Sequence, residues 1–368
     1  MINDHKIDLH NGSRRLELAT KRLEGSDIDK ENKQYIKTFV GFIQAKKDIS
    51  EGRRTKLYDE LRKIAKKLGK PFNKATKSDI IDLVNWINGN GFAPATRKDY
   101  RQHLKRIIKW IWIEEGKIED NGTAPPIVSW VTGEIKKEYN RNTLTAELIL
   151  TEQEVLKMIK SEKELHWRAF TWLLWETGAR VGEILNLRVR DVQPEDYGLM
   201  LNIKHGKTGA RKMPLVICKQ TLLNYIDISE KQPDDLLFSF TYSTVKAHMT
   251  MLGLRNGIIQ ITQNGYTGKN CSTKWWRKAR ASYLATKMNA PQLQYWFGWN
   301  KLETAQAYIR LSPEVVKDTY FKMNGINVSA DMLPKPTTKR CHKCGQLNDL
   351  DKDFCLNCGH KQYLMQNN

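Results

Sequence analysis

The first third of the chain has the apolar spacing of α-helices. Thr76, with Asp79 three residues later, is typical of a capping box at a helix start. The apolar positions that follow, which fall on one helical face, are Ile80, Leu83, Val84 and Ile87. Gly89-Asn-Gly91 predicts the end of that helix, and Pro94 predicts the start of another. The second apolar stripe consists of Tyr100, Leu104, Ile107, Ile108 and Ile111.

The second half of the chain predicts helices around a small sheet. Thr151-Glu-Gln-Glu154 again resembles a capping box. A helix through Ala169, Phe170, Leu173 and Leu174 is then predicted to stop at Gly178. Two short runs then alternate apolar and polar residues, at 199–203 and 213–217, with a glycine-rich stretch at 205–209 between them. They predict a β-hairpin. The pattern after it, to about Gly325, indicates helix.

These patterns predict a mainly α fold with a small antiparallel β-sheet. The polar segment 1–27 is interpreted as a flexible arm or one short helix. Segments rich in Gly, Pro and polar residues predict the linkers. The predicted order is an arm at 1–27, a helical domain at 28–119, a linker at 120–148, a second domain of helices and a small sheet at 149–328, a linker at 329–340 and a small C-terminal module at 341–363.

Composition indicates a soluble protein that binds a polyanion. The 368 residues are enough for two or three domains, and 40% are hydrophobic against 28% charged. Lys and Arg number 61 and Asp and Glu 41, so the net charge is 61 − 41 = +20. Nucleic acid is the partner this excess favours. No apolar run approaches the roughly 20 residues of a membrane span. We therefore expect a cytoplasmic, nucleoid-associated protein without a membrane partner.

Cations also follow one side of a predicted helix. Lys98, Arg101, Lys105 and Lys109 lie opposite its apolar stripe. A solvated charged face is the simpler interpretation for one helix. Further cations in the same predicted domain favour a DNA-facing surface; they are Arg53, Arg54, Lys66, Lys67 and Lys70.

The candidate chemistry is phosphodiester transfer. Thr177-Gly-Ala-Arg180-Val-Gly-Glu183 follows the predicted helix, and Lys207 lies in the glycine-rich turn. Lys274-Trp-Trp-Arg277 comes later, before Trp299 and Tyr308. Each residue alone is typical of surface charge or packing. Arginine forks bind phosphate oxygens, a lysine can protonate a leaving oxygen, and a tyrosine can form a covalent phosphodiester. Together they indicate strand cleavage without metal.

The ordered series resembles the tyrosine recombinases, or phage-type integrases, particularly their archaeal members, over about residues 28–325. The resemblance implies that Arg180 and Arg277 clamp the phosphate and that Glu183 orders the site. It also implies that Lys207 is the general acid. Tyr308 would then be the nucleophile that captures the 3′ phosphate. Trp299, nine residues before it, stands where the family carries His or Trp.

One box departs from the family pattern. The family reads His-x-x-Arg where this chain reads Lys274-Trp-Trp-Arg277. Lysine is a poor general base at neutral pH, so the group that deprotonates Tyr308 stays open. The register is open as well, because Arg277 and Arg280 lie on one helical face. Lys278, Ala279 and Arg280 favour Arg277, because archaeal members of the family tend to follow this arginine with a basic residue, a small residue and another arginine.

The resemblance implies a site-specific recombinase, with a DNA-binding domain at 28–119 and a catalytic domain at 149–328. Its protomers would assemble on double-stranded DNA at specific sites, as a homo-tetramer, and exchange strands through a covalent 3′-phosphotyrosine. Integration or excision of a mobile element, viral or plasmid, is the expected setting. Two alternatives stay open. One is a catalytically weak DNA-binding protein of the same fold, which Lys274 supports, and the other is a type IB-like topoisomerase.

Four of the six cysteines form two Cys-x-x-Cys pairs near the C-terminus. Cys341 and Cys344 make the first pair, and Cys355 and Cys358 the second. Four thiolates at this spacing predict a structural zinc ribbon. His342 and His360 are surplus to such a site. The ribbon is not part of the family's core pattern, and its zinc is expected to take no part in strand cleavage.

Overall fold

The computed structural model describes Asp8 and residues 11–133, 146–204, 206, 209–263, 265–309, 338–341, 343–344, 346–349 and 353–361. The chain divides into two compact units. One comprises residues 10–141, and the other comprises residues 142–368 together with 1–9. Each unit has its own hydrophobic core.

The unit at 10–141 is helical. Its helices are α1 (Gly12–Glu24), α2 (Lys30–Lys47), α3 (Glu51–Leu68), α4 (Lys77–Gly89), α5 (Pro94–Glu114) and α6 (Pro126–Ser129). Two of them lie outside the predicted helical domain of 28–119. Helix α1 forms in the segment predicted as an arm or short helix, and buries Ala19 and Leu23. Helix α6 forms within the predicted linker, where Val128 and Val131 are buried in the core of this unit.

The local signals for α4 and α5 are confirmed. The Thr76 hydroxyl accepts from the Asp79 amide, and the Asp79 carboxylate accepts from the Thr76 amide, which satisfies two donors at the start of α4. Pro94 occupies the first turn of α5, where its missing N–H loses no helical hydrogen bond. The apolar stripes of both helices are buried in the core.

Several cations of this unit are held by internal partners. Arg101 Nη2 donates to Asn88 Oδ1 at 2.7 Å, and Lys105 Nζ donates to the carbonyls of Ser129 and Val131. Arg53 Nη2 lies 3.1 Å from Nε2 of the buried His103. Lys66 and Lys67 are exposed. Some of the cations that the sequence suggested for a DNA-facing surface therefore stabilise the fold of this unit.

The second unit combines helices with a small sheet. Its helices are α7 (Glu152–Lys160), α8 (Leu165–Thr177), α9 (Val181–Ile184), α10 (Lys219–Ile228), α11 (Tyr242–Arg255), α12 (Thr273–Ala285), α13 (Ala290–Phe297) and α14 (Leu302–Ile309). Strands β1 (Val192–Glu195), β2 (Gly198–Ile203) and β3 (Arg211–Leu215) form an antiparallel sheet in that order. The hairpin predicted from alternation is β2–β3, with Leu201 opposite Met213. The mainly α fold with small antiparallel sheets is confirmed.

The prediction of helix throughout the region after β3 is wrong. Strands β4 (Ile259–Thr262) and β5 (Gly265–Gly268) pair antiparallel before α12. Gly265 and Gly268 adopt φ values of +111° and +89°, which favour glycine and interrupt a helix. A Cβ on Gly268 would lie 2.4 Å from the Ile258 carbonyl oxygen. The close approach of these backbones selects the hairpin.

Two apolar clusters support the end of this unit that carries the candidate residues. The larger contains the middle of α8, where Trp172, Leu173, Leu174 and Trp175 are all buried. The smaller is formed by α12, α13 and α14, and Tyr308 belongs to it. The candidate residues thus lie on or next to elements that pack into these two clusters.

Candidate active site

Arg180 lies just after the buried helix α8. That helix ends at Gly178, whose φ of +56° is left-handed. A Cβ on Gly178 would lie 2.6 Å from Phe297 Cε1 and 3.2 Å from Arg280 Cβ, so both backbone conformation and packing require glycine here. The chain then turns into the four-residue helix α9, which Arg180 precedes. The Arg180 side chain is 30% exposed and can reach a ligand.

Glu183 connects Arg180 to a second arginine. Its Oε1 accepts from Arg180 Nη1 at 2.8 Å, and its Oε2 accepts from the Arg180 amide at 2.9 Å. Oε2 also accepts from Arg211 Nη2 at 2.7 Å. Burial raises the pKa of the Glu183 carboxyl, but the hydrogen bond and charge of Arg211, with the contacts of Arg180, outweigh it and lower the pKa overall. The carboxylate is therefore charged at neutral pH.

Arg277 reaches the same region from α12. Nη1 donates to the Gly178 carbonyl at 2.8 Å and Nη2 to the Phe297 carbonyl at 2.6 Å. Burial, and then the charge of Arg180, lower the pKa of Arg277 to about 10, which still leaves the guanidinium charged at neutral pH. The two arginines therefore share one electrostatic environment.

Arg280 has different surroundings. It is 5% exposed, and its Nε donates to the Glu176 carbonyl at 3.0 Å. Its guanidinium carbon lies 5.1 Å from the ring centroids of both Trp175 and Tyr283. Arg277, not Arg280, is thus the residue of this box whose charge interacts with Arg180 and Glu183.

A column of aromatic rings carries Tyr308. Phe297 stacks on Trp299 with centroids 4.7 Å apart, and Trp299 stacks on Tyr308 at 5.3 Å with an interplanar angle of 3°. The Arg277 guanidinium lies 5.1 Å from the Phe297 ring and 5.9 Å from the Trp299 ring. Burial raises the pKa of Tyr308, while the charge of Arg277 lowers it. The phenol and the guanidinium of Arg277 therefore interact electrostatically.

Of the two candidate lysines, Lys274 lies among the described residues and Lys207 does not. Lys274 is exposed on α12, one turn before Arg277 and on the same helical side. Lys207, the candidate general acid, lies outside the described residues. Gly206 next to it is described: a Cβ there would lie 2.3 Å from the Gly209 carbonyl oxygen. The close approach of Gly206 to Gly209 thus requires glycine at position 206.

Sequence reasoning assigned no role to Arg211. Its side chain is 4% exposed, and besides the contact with Glu183 its Nε donates to the Trp296 carbonyl at 3.1 Å. A signal was present in the strand. Arg211 is in phase with Met213 and Leu215, whose side chains are buried, so period-2 alternation places this arginine on the inner face.

The four C-terminal cysteines converge. Strands β6 (Thr338–Arg340) and β7 (Leu347–Asp349) pair antiparallel beside them. All four sulfurs lie within 4.8 Å of one another. Cys341 Sγ is 3.6 Å from Cys358 Sγ, and Cys344 Sγ is 3.5 Å from Cys355 Sγ. These separations approach the roughly 3.8 Å that 2.3 Å bonds to a tetrahedral zinc require. The cluster can bind a metal ion.

Amides support the cysteine sulfurs. Asn348 Nδ2 lies 3.5 Å from Cys355 Sγ, and Asn348 Oδ1 accepts from the Leu356 amide at 2.9 Å. Gly359, after the second pair, has a φ of +68° that glycine accommodates without strain. His342 lies outside the described residues, and His360 is not one of the four ligand candidates.

Comparison with known proteins identifies relatives of this chain. Residues 149–314 match the phage integrase family. The chain is 24% identical over 220 residues to the tyrosine recombinase XerA of Saccharolobus solfataricus, an alignment that covers 60% of this chain. It spans 64% of that relative, which is less than two thirds of its length.

Within the part of the chain that the structure describes, every helix is too short or too polar to span a membrane.

Solved recombinases share the fold at low sequence identity. The Tn1549 transposon integrase in complex with transposon right end DNA has a TM-score of 0.58 at 16% identity, over 78% of this chain and 99% of that one. XerH bound to palindromic difH substrate has a TM-score of 0.56 at 16% identity, over 88% of this chain and 99% of that one. A lambda integrase dimer bound to a COC′ core site has a TM-score of 0.56 at 18% identity, over 75% of this chain and 76% of that one. These likenesses establish the fold.

Proposed function

Because residues 149–314 make this chain a member of the phage integrase family of tyrosine recombinases, we propose that it cuts and rejoins DNA at specific sites through a covalent 3′-phosphotyrosine on Tyr308. The observation that carries the proposal is the position of Arg277 between the other two residues. Arg277 donates to the carbonyl of Gly178, two residues before Arg180, and its guanidinium lies 5.9 Å from the ring of Trp299, which stacks on the buried Tyr308.

The arginines act on the phosphate. Arg180 and Arg277 bind non-bridging oxygens, whose negative charge increases in the transition state. Arg277 is fixed by the Gly178 and Phe297 carbonyls, and Arg180 is fixed by Glu183. Because these contacts exist before substrate binds, little reorganisation is needed during reaction. Lys274, exposed beside Arg277, is proposed to contact the same phosphate as a cation.

Tyr308 supplies the nucleophile. Its oxygen forms a bond to phosphorus as the bond to the 5′ oxygen breaks; the phenol proton leaves to a base, and Lys207 is proposed to protonate the departing 5′ oxygen. The reverse attack by a 5′ hydroxyl rejoins DNA without ATP. Stacking on Trp299 limits rotation of the phenol, and the nearby Arg277 stabilises phenolate relative to phenol.

We propose that the metal bound by the cysteine cluster is zinc, in a structural role. Four sulfur ligands fill a tetrahedral shell and leave no open position for substrate. The ribbon would then hold its two strands together, and the chemistry at Tyr308 would proceed without it. Further proposals follow from the family: assembly as a homo-tetramer on paired sites, action on a mobile element, viral or plasmid, and a cytoplasmic location at the nucleoid.

The test is covalent capture on DNA. Purified protein is incubated with a random-sequence duplex library that carries nicks, so that the short strand released by cleavage diffuses away and the adduct accumulates. Adducts are recovered under denaturing conditions and sequenced. The wild-type protein is expected to enrich one sequence class and to leave a DNA-linked peptide containing Tyr308.

The matched control is Tyr308→Phe, which removes one oxygen and keeps the stacked ring. This variant is expected to bind the enriched duplex and give no adduct. An adduct that persists in Tyr308→Phe would remove Tyr308 from the nucleophile role. Binding without any wild-type adduct would instead favour a DNA-binding protein of this fold, and relaxation of arbitrary supercoiled plasmid would favour a topoisomerase.

A further inference from the structure

Four charged side chains interact at the candidate phosphate site. Arg180, Arg211 and Arg277 contribute three positive charges and Glu183 one negative charge, so the group carries 3 − 1 = +2. Arg211 differs from the other two arginines in its burial. Its side chain is 4% exposed, against 30% for Arg180. It is therefore poorly placed to touch DNA.

The hydrogen bonds of Glu183 are divided between two arginines. Oε2 receives Arg211 Nη2 and the Arg180 amide, which leaves Oε1 for one contact with Arg180 Nη1. Within the described residues, that single Nη1 contact is the whole hydrogen bonding of the Arg180 guanidinium. A guanidinium and a carboxylate otherwise tend to pair through two parallel bonds. Arg211 occupies the oxygen that this second bond would use.

We infer that Arg211 is a positioning residue that balances the charge of Glu183, so that Arg180 keeps its own charge and its free N–H groups for a DNA phosphate. The inference rests on the proposed function of Arg180 as a phosphate clamp. Without Arg211, Glu183 would pair bidentately with Arg180 and neutralise it.

The rest of the Arg211 environment fixes its position. Its Nε bonds to the Trp296 carbonyl on α13, and Trp296 Nε1 in turn donates to the Thr177 carbonyl at 3.0 Å, next to Gly178. Its Nη1 is buried and has no hydrogen-bond partner among the described residues. Arg211 thus connects its own strand, β3, to α9 and α13. Helix α9 follows Arg180, and α13 precedes Trp299.

Charge balance and simple bracing predict opposite results for a double variant. Arg211→Met leaves a net charge of +1, and Glu183→Gln leaves +3. The combination Arg211→Met with Glu183→Gln returns to +2, the wild-type value, although it removes both partners of the bond. Replacing both members of a buried pair is also tolerated better than removing one. If Arg211 only braced the fold, the double variant would lose at least as much phosphate affinity as Arg211→Met does.

The experiment uses the full chain and inorganic phosphate as the probe. Phosphate affinity is measured from the concentration dependence of the melting temperature, and Arg180→Met defines binding elsewhere on this basic protein. We expect Glu183→Gln to bind phosphate most tightly, wild type and the double variant to be within about threefold, and Arg211→Met to bind about tenfold more weakly than wild type. Arg280→Met, another buried arginine replaced without touching Glu183, is expected to melt earlier and keep wild-type phosphate affinity.

The rate of adduct formation on the enriched nicked duplex is the second measurement. Arg211→Met is expected to slow it about 100-fold, and Glu183→Gln in that background to recover at least about tenfold. A double variant as poor as Arg211→Met in phosphate binding would overturn the charge-balance inference. If Arg211→Met does not fold, the order of phosphate affinities among wild type, Glu183→Gln and the double variant still tests the charge-balance inference. The expected phosphate order without any wild-type adduct would support charge balance and contradict the proposed strand cleavage.

Discussion

At the residue scale, position on a helix does not determine what an arginine does. Arg277 and Arg280 are three residues apart on α12, and neither is exposed. Arg277 spans from Gly178 to Phe297 at the candidate site, while Arg280 packs between Trp175 and Tyr283 below it. The difference comes from what each side chain meets after leaving the helix. Sequence spacing contains no information about that.

This contrast gives a residue-scale prediction. Arg277→Met should slow adduct formation by about 100-fold to 1,000-fold, because it removes a cation from the reacting phosphate. It should also move the pKa of Tyr308, already raised by burial, further upward, because the charge of Arg277 lowers it. The pKa is measured by NMR of 13Cζ-labelled tyrosine, with Tyr308→Phe identifying the signal.

Arg280→Met is the matched control for Arg277→Met. It should lower the melting temperature, because it removes a buried hydrogen bond to the Glu176 carbonyl. Its adduct rate per folded molecule should stay within about threefold of wild type. The reverse ranking of the two variants would assign the second phosphate clamp to Arg280.

At the element scale, the candidate residues come from separate segments, and buried apolar clusters support those segments. Arg180 precedes a helix of four residues, and Tyr308 lies on α14, next to the stacked rings of Phe297 and Trp299. The buried helix α8 underlies the first of these segments. The cysteine cluster is a separate element, held by its four sulfurs and by Asn348. Its small size leaves little apolar area to stabilise it without metal.

The element-scale prediction concerns metal removal. Native mass spectrometry of the full chain should show one bound zinc, and Cys358→Ser should lose it, because three thiolates hold zinc less tightly than four. Chelation or Cys358→Ser should leave the rate of adduct formation within about threefold of wild type. The matched control is Cys218→Ser, which alters a buried cysteine outside the cluster and should retain the zinc. Loss of adduct formation together with the metal would show that the ribbon contributes to catalysis.

At the scale of the whole molecule, the chain consists of two units with separate cores. Residues 10–141 bury one cluster, and residues 142–368 bury the others. The net charge of +20 belongs to the whole chain, and such an excess makes binding to DNA strongly dependent on salt concentration. Separate cores also allow each unit to unfold on its own.

The prediction at this scale is a heat-induced unfolding that is not two-state. Leu104 in the first core and Leu173 in the second are both fully buried, and replacing either by Ala should destabilise its own unit by about 2–5 kcal/mol. Scanning calorimetry should show Leu104→Ala lowering one transition and Leu173→Ala lowering the other. If both variants shift one common transition, the units unfold as a single cooperative body.

The sequence by itself determined the local features. Capping boxes at Thr76 and Thr151, the helix end at Gly178 and the β2–β3 alternation all depend on neighbouring residues, and the structure confirms them. The cysteine spacing likewise indicated the cluster of four sulfurs. Local rules were insufficient at β4–β5, where close backbone approach rather than helical periodicity decided the conformation.

Only the tertiary structure decided which distant side chains meet. It gave Arg277 and Arg280 different hydrogen-bond partners, stacked Tyr308 on Trp299, and joined Arg211 to Glu183 across 28 positions of the chain. The physical reason is that ion pairs and ring contacts depend on distances of a few ångströms in space. Such distances are set when elements pack together, and the order of residues along the chain does not contain them.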